Sequence, residues 1–214
     1  MNKESVIKQT EKYVKNKLEG EGSGHDWWHV QRVCKNAVYI GLKENADLLV
    51  VQLAALLHDI DDWKVTGKED SSSSEAKDFL KGIGVDDITI EKITEIIDNI
   101  SFSSNIEKKK ELSLEGMVVQ DADRLDAMGA IGIARCFARC GKVGNLIYNP
   151  NIKPKKHFKS PVDYKKSKTT GVNHFYEKLL LLKDLMNTKT ARKIAENRHA
   201  FMEKFLEQFF KEWE

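Results

Sequence analysis

Apolar residues recur at helical spacing along almost the whole chain. Val6, Val14 and Leu18 sketch a first amphipathic helix, ended by the cluster Gly20, Gly22, Gly24. Asp26 is a good N-cap for a second helix, running roughly from Trp27 to Lys43. A third begins near Asp47 and is apolar on every side from Leu48 to Leu57, the pattern of a helix at the centre of a bundle rather than at its surface. It ends at His58-Asp59. Ser71 to Ser74 offer N-caps for a helix closing at Gly82 and Gly84, and Ile88 to Ile100 repeats the helical pattern. Leu114, Val118, Ala122 and Leu125 follow at the same period, with Gly129 and Gly132 permitting close packing of the turn beyond. Val172 to Met186 and Thr190 to Trp213 complete the set, the last carrying Phe201, Phe205 and Phe209 as a core stripe. No segment alternates as a strand. The expected fold is all-α, one compact helical bundle and one domain spanning residues 1–214.

One stretch departs from this pattern. Between Lys142 and Gly171 eight lysines face a single aspartate, and all three prolines, Pro150, Pro154 and Pro161, fall there. This predicts a long basic loop over 142–171. It reads either as a solvated flexible insertion or as a lid whose lysines attract an anionic, phosphorylated ligand, with nucleic acid a weaker third reading.

Composition narrows the class. The 214 residues are 41% hydrophobic and 32% charged, and 35 Lys plus Arg against 33 Asp plus Glu leave a net charge of +2. That balance fits a soluble globular chain and argues against nucleic acid as the main partner. No apolar run is long enough to cross a membrane, so no membrane partner is expected. Three cysteines, Cys34, Cys136 and Cys140, lack the pairing of a disulfide framework or zinc site, which fits a reducing, cytoplasmic setting. A homo-oligomer is neither required nor excluded by these features.

Candidate chemistry starts from His58 and Asp59, two ionisable groups at the end of the most apolar helix. His29 in HDWWHV lies on the preceding helix, and Asp123 in VVQDADRLDAMGA on a later one. Three separate helices thus offer ligands. Imidazoles and carboxylates without thiolate suit Mn²⁺, Fe²⁺, Ni²⁺, Co²⁺ or Mg²⁺ better than a structural Zn²⁺.

The order His29, then His58-Asp59 after an apolar helix, then Asp123 inside ADRLD resembles the HD-domain metal-dependent phosphohydrolases. HDWWHV, LAALLHDIDDWK, IIDNISFS, VVQDADRLDAMGAIGIARCF and NHFYEKLLLLKDLMNTKTA look like their YpgQ-type subgroup. The resemblance implies an all-helical fold and a divalent metal held by His29, His58, Asp59 and Asp123. It also implies cleavage of deoxynucleoside triphosphates to monophosphate and pyrophosphate, by water that the ion activates for attack on phosphorus.

Asp62, three residues beyond Asp59, is the candidate general base, with Asp61 its competitor. Arg32, Lys64, His174 and Lys178 are candidates for binding substrate phosphates, the last two four apart on one predicted helix face. Arg124, beside Asp123, is placed to steady a carboxylate behind the metal ligands. Asp121 is expected on another face, and Asp126 to pair with Arg124 in a role outside ligation. His25 and Asp26 read as a helix-opening turn, His157 and His199 as solvent-facing. Trp27, Trp28 and Trp63 either wall the pocket, stack a base or pack in the core. The same ligands would serve a nucleoside 5′-monophosphate phosphatase or a phosphodiesterase; a non-catalytic nucleotide-sensing module is the alternative of another class.

Overall fold

The structure, a computed structural model, describes residues 2–20, 22, 24–60, 73–102, 111–155, 157–160, 162–163, 167 and 169–214. Its helices are α1 (Lys3–Leu18), α2 (Trp27–Glu44), α3 (Leu48–Leu57), α4 (Ser74–Gly82), α5 (Asp87–Asn99), α6 (Leu114–Asp126), α7 (Gly129–Lys142), α8 (Gly171–Glu177) and α9 (Lys189–Trp213), with a 3₁₀ segment at Leu179–Leu185. The described residues contain no strand, so the fold is all-α as expected.

α3 is the axis of the bundle. Leu49, Val50, Val51 and Leu53 to Leu57 are all buried, and α1, α2, α5 and α6 pack around them. Each leucine and valine among them contributes about 1.5–3 kcal/mol on burial, which makes the end of α3 a firm platform for whatever follows it. Side-chain caps fix the starts of these helices: Asp26 accepts from the His29 N–H, Asp47 from Leu49 and Ser113 from Gly116. Among the described residues no helix is long and apolar enough to cross a membrane.

Several sequence expectations need correction. Gly129–Lys142 forms a full helix where only a turn was expected; it opens on glycines without a capping side chain, so the usual start signal is missing. The turn before it is as tight as expected, since a Cβ on Gly132 would lie 2.3 Å from the Ala127 carbonyl. Val172 to Met186 is not one helix. The chain breaks at Lys178 (φ −145°, ψ −59°) and continues as 3₁₀, burying Leu179 and Leu182 three residues apart, the period of that helix. In the aromatic stripe Phe205 and Phe209 pack against the core, but Phe201 is half exposed.

The 142–171 loop is tied down at several described points rather than free throughout. Gly171 and Val172 N–H groups donate to Leu146 and Ile147 carbonyls, each at 2.9 Å. Asn173 Nδ2 donates to the Ile152 carbonyl at 2.8 Å. The buried Glu177 carboxylate accepts from the Lys155 N–H at 3.0 Å and the Thr169 hydroxyl at 2.9 Å.

Candidate metal centre

Three helices deliver the expected set. α2 supplies His29, the residues just beyond α3 supply His58 and Asp59, and α6 supplies Asp123. α2 packs on both α3 and α6, which brings their side chains to one point. His29 Nε2 lies 3.2 Å from Asp59 Oδ2 and 3.6 Å from Asp123 Oδ1. His58 Nε2 lies 3.5 Å from Asp59 Oδ1 and 3.9 Å from Asp123 Oδ1. The side chains of His29, His58 and Asp59 are 0–6% exposed, while Asp123 at 38% forms the open edge.

The donor set fits a divalent cation. His29 Nε2, His58 Nε2 and Asp59 Oδ2 are buried without a hydrogen-bond partner, which costs about 1–3 kcal/mol each unless something else satisfies them. Donor atoms of His29, His58 and Asp59 lie within 4.8 Å of one another. Such spacing is compatible with bonds of about 2.0–2.2 Å to a shared ion. The imidazoles are turned for this role: His29 Nδ1 meets Asp126 Oδ2 at 2.7 Å and His58 Nδ1 meets the Ala55 carbonyl at 2.8 Å, so each Nε2 faces the cluster.

The two carboxylates are held ionised, as a cation site needs. Burial pushes the Asp59 carboxyl up, but the His58 and His29 imidazoles outweigh it and hold it well below the usual carboxylate range. Asp123 is lowered by the same imidazoles against the same burial penalty. For His29, burial and Arg135 lower the pKa, yet Asp126 and Asp59 prevail and raise it. The thiols are held protonated by burial, which pushes Cys136 up to about 12 and Cys34 up to about 11.

Asp126 has a role outside ligation, as expected, but with other partners than the one expected. It does not pair with Arg124. It takes His29 Nδ1, Arg32 Nε at 2.8 Å and Nη2 at 3.0 Å, and Arg135 Nη1 at 3.1 Å. Arg32 therefore grips the carboxylate behind His29, on the ring nitrogen opposite the one facing the cluster. Arg124 instead donates to the Leu185 carbonyl and lies 4.0 Å from Asp121, tying down the 3₁₀ segment rather than Asp123. Asp121 does face elsewhere, as expected, accepting from Asn187 and Thr188 at the start of α9. Arg135 was not singled out; its one sequence signal is a lone charge within the apolar run GAIGIARCF.

The remaining candidates separate. His174 is half-buried on α8, but Lys178 lies beyond the end of that helix, with Nζ 5.0 Å from the Phe102 ring centroid, so the two do not share a helix face. Asp62, Asp61, Lys64 and Trp63 lie outside the described residues. Trp27 packs against the core, whereas Trp28 is 60% exposed. His25 stands edge-on to His29, ring centroids 5.7 Å apart. His157 is exposed, but His199 is not solvent-facing: its side chain is 13% exposed, with Nε2 3.3 Å from Glu203.

Comparison with known proteins agrees with this geometry. Residues 27–128, which span all four cluster residues, match the HD domain. The chain is 43% identical over 210 residues to YpgQ of Bacillus subtilis (strain 168), covering 96% of this chain and 94% of YpgQ. It is similar to a crystal structure of a Lactobacillus plantarum protein with TM-score 0.89 and 40% identity, over 100% of this chain and 99% of that one. B. subtilis YpgQ in complex with ADP gives TM-score 0.78 at 39% identity, covering 99% and 97%. An HD-superfamily hydrolase from Bacillus thuringiensis gives TM-score 0.74 at 41% identity, covering 99% and 98%. With the His, His-Asp, Asp set converging in space and relatives matched over nearly their full length, the chain belongs to the HD superfamily of metal-dependent phosphohydrolases.

Proposed function

We propose that this protein hydrolyses nucleotides, and specifically that it is a (deoxy)nucleoside triphosphate pyrophosphohydrolase. Water adds across the α–β anhydride, releasing a nucleoside monophosphate and pyrophosphate. The observation that carries the reading is the set of three buried donor atoms, His29 Nε2, His58 Nε2 and Asp59 Oδ2, turned toward one another without partners. A divalent ion bound there supplies Lewis acidity to phosphoryl oxygens and lowers the pKa of water from 15.7 to about 7.

This chain's own residues supply the rest. His29, His58, Asp59 and Asp123 hold the ion, and the exposure of Asp123 leaves substrate an approach on that side. Asp126 fixes the His29 ring through Nδ1. Asp62, close after Asp59 in sequence, takes the proton from attacking water. Lys64, His174 and Lys178 are the cations assigned to substrate phosphates, and the loop lysines add long-range attraction for an anion. The complex of the relative YpgQ with ADP supports a nucleotide ligand.

Purified protein loaded with Mn²⁺ or Co²⁺ and offered nucleoside mono-, di- and triphosphates tests this directly. Equal yields of monophosphate and pyrophosphate from triphosphates are expected. Orthophosphate from monophosphates would replace the reading with a phosphatase. Tight nucleotide binding without any product would replace it with a sensing module.

A further inference from the structure

The residues behind His29 form a bridge between two parts of the chain. The Arg135 guanidinium, on α7 and with only 14% of its side chain exposed, divides its donors between two acceptors. Nη1 lies 3.1 Å from Asp126 Oδ2, and Nε donates to the Gly24 carbonyl at 2.6 Å. Gly24 opens the turn that carries His25 and the cap Asp26, whose carboxylate takes the His29 N–H at 2.8 Å. The fit is close. Gly24 has φ +85°, and a Cβ there would lie 3.1 Å from Arg135 Cγ and 3.3 Å from its Cβ. Arg32 holds both oxygens of Asp126 from within α2, so the carboxylate has a cation without Arg135. What Arg135 alone adds is the connection from α7 to the turn before His29.

We propose that Arg135 is a positioning residue for the metal centre: one guanidinium spanning Asp126 and the Gly24 carbonyl fixes both the ring of His29 and the backbone turn that presents it. The inference rests on the metal-site reading above. Two acceptors on different elements need a planar fork; a lysine ammonium carries the charge but lacks that geometry.

Co²⁺ uptake by the full chain, followed by calorimetric titration and by the visible spectrum of the bound ion, tests the bridge without any turnover. Arg135→Met should weaken Co²⁺ binding by about 10–100-fold and change the spectrum, as loss of an outer partner of a metal ligand does. Arg135→Lys should recover only part of the affinity. Gly24→Ala, on the other element, should weaken binding in the same direction, and the double variant should lose less than the product of the two single losses, because both break one contact. If Arg135→Met does not fold by circular dichroism, Gly24→Ala and Arg135→Lys carry the test. Binding within about twofold of wild type and an unchanged spectrum in the folded variants would overturn the bridge alone. Full recovery by lysine would overturn it in favour of simple charge. Wild-type protein that takes up no Co²⁺ would overturn the metal reading and the bridge with it.

Discussion

Two aspartates on α6, Asp121 and Asp126, are equally hidden from solvent yet do opposite work. Asp121 takes its hydrogen bonds from neutral donors, the N–H groups of Asn187 and Thr188, the Asn187 amide and the Thr188 hydroxyl, with the Arg124 guanidinium standing off at 4.0 Å. Burial prevails, and its carboxyl is pushed up. Asp126 is buried too, but its partners are His29, Arg32 and Arg135, and its carboxyl is driven far below the usual range. The first carboxylate anchors α9 to α6 through backbone; the second orients a ligand. Burial alone does not distinguish the two roles, and the charge of the partner does.

The largest expected effect lies at the ligands themselves. His58→Ala or Asp59→Ala should lose metal and hydrolysis together while remaining folded, read by elemental analysis beside circular dichroism. A folded Asp59→Ala protein with normal metal content would remove Asp59 from the ligand set. Next come the two aspartates, crossed. Asp126→Asn should lower metal affinity by about 10–100-fold. Asp121→Asn should leave metal affinity unchanged but destabilise by about 1–3 kcal/mol, because a new amide must face backbone donors. Calorimetric metal titration and urea unfolding of the same two variants separate the outcomes.

Much of this was legible in the chain before any fold was known. Asp26 and Asp47 announced α2 and α3, and the uninterrupted apolar run of α3 announced its central place. The ligand set could be read because each member stands at the end or on the face of a strongly patterned helix. Asp126 and Arg135 could not be assigned, because their partnership depends on how α7 folds back on α6, and α7 starts without a cap. Lys178 was misplaced because four consecutive leucines satisfy helical and 3₁₀ periods alike, and only packing chooses. His199 was misread because charged neighbours in sequence suggest a solvated face, whereas the helix turns this side chain largely out of solvent and pairs it with Glu203.

Acid should reverse the comparison in the metal-free protein. Asp126 titrates below its ordinary value near 3.8 when folded, so its contribution is complete above that value and is lost as pH falls through the folded pKa. Asp121 is raised, so ionisation works against the fold; the penalty stands above its folded pKa and is relieved on acidification toward 3.8. Melting temperatures across pH should therefore show the wild-type advantage over Asp126→Asn shrinking in acid, and that over Asp121→Asn growing. The smallest effect is expected at the loop. Glu177→Gln should cost about 1 kcal/mol and speed limited proteolysis within 142–171, since an amide accepts the Lys155 and Thr169 donors less strongly.

Asp123 alone of the four donors reaches the surface. An ion held there would meet the medium at that carboxylate, with the three buried side chains of His29, His58 and Asp59 at its back.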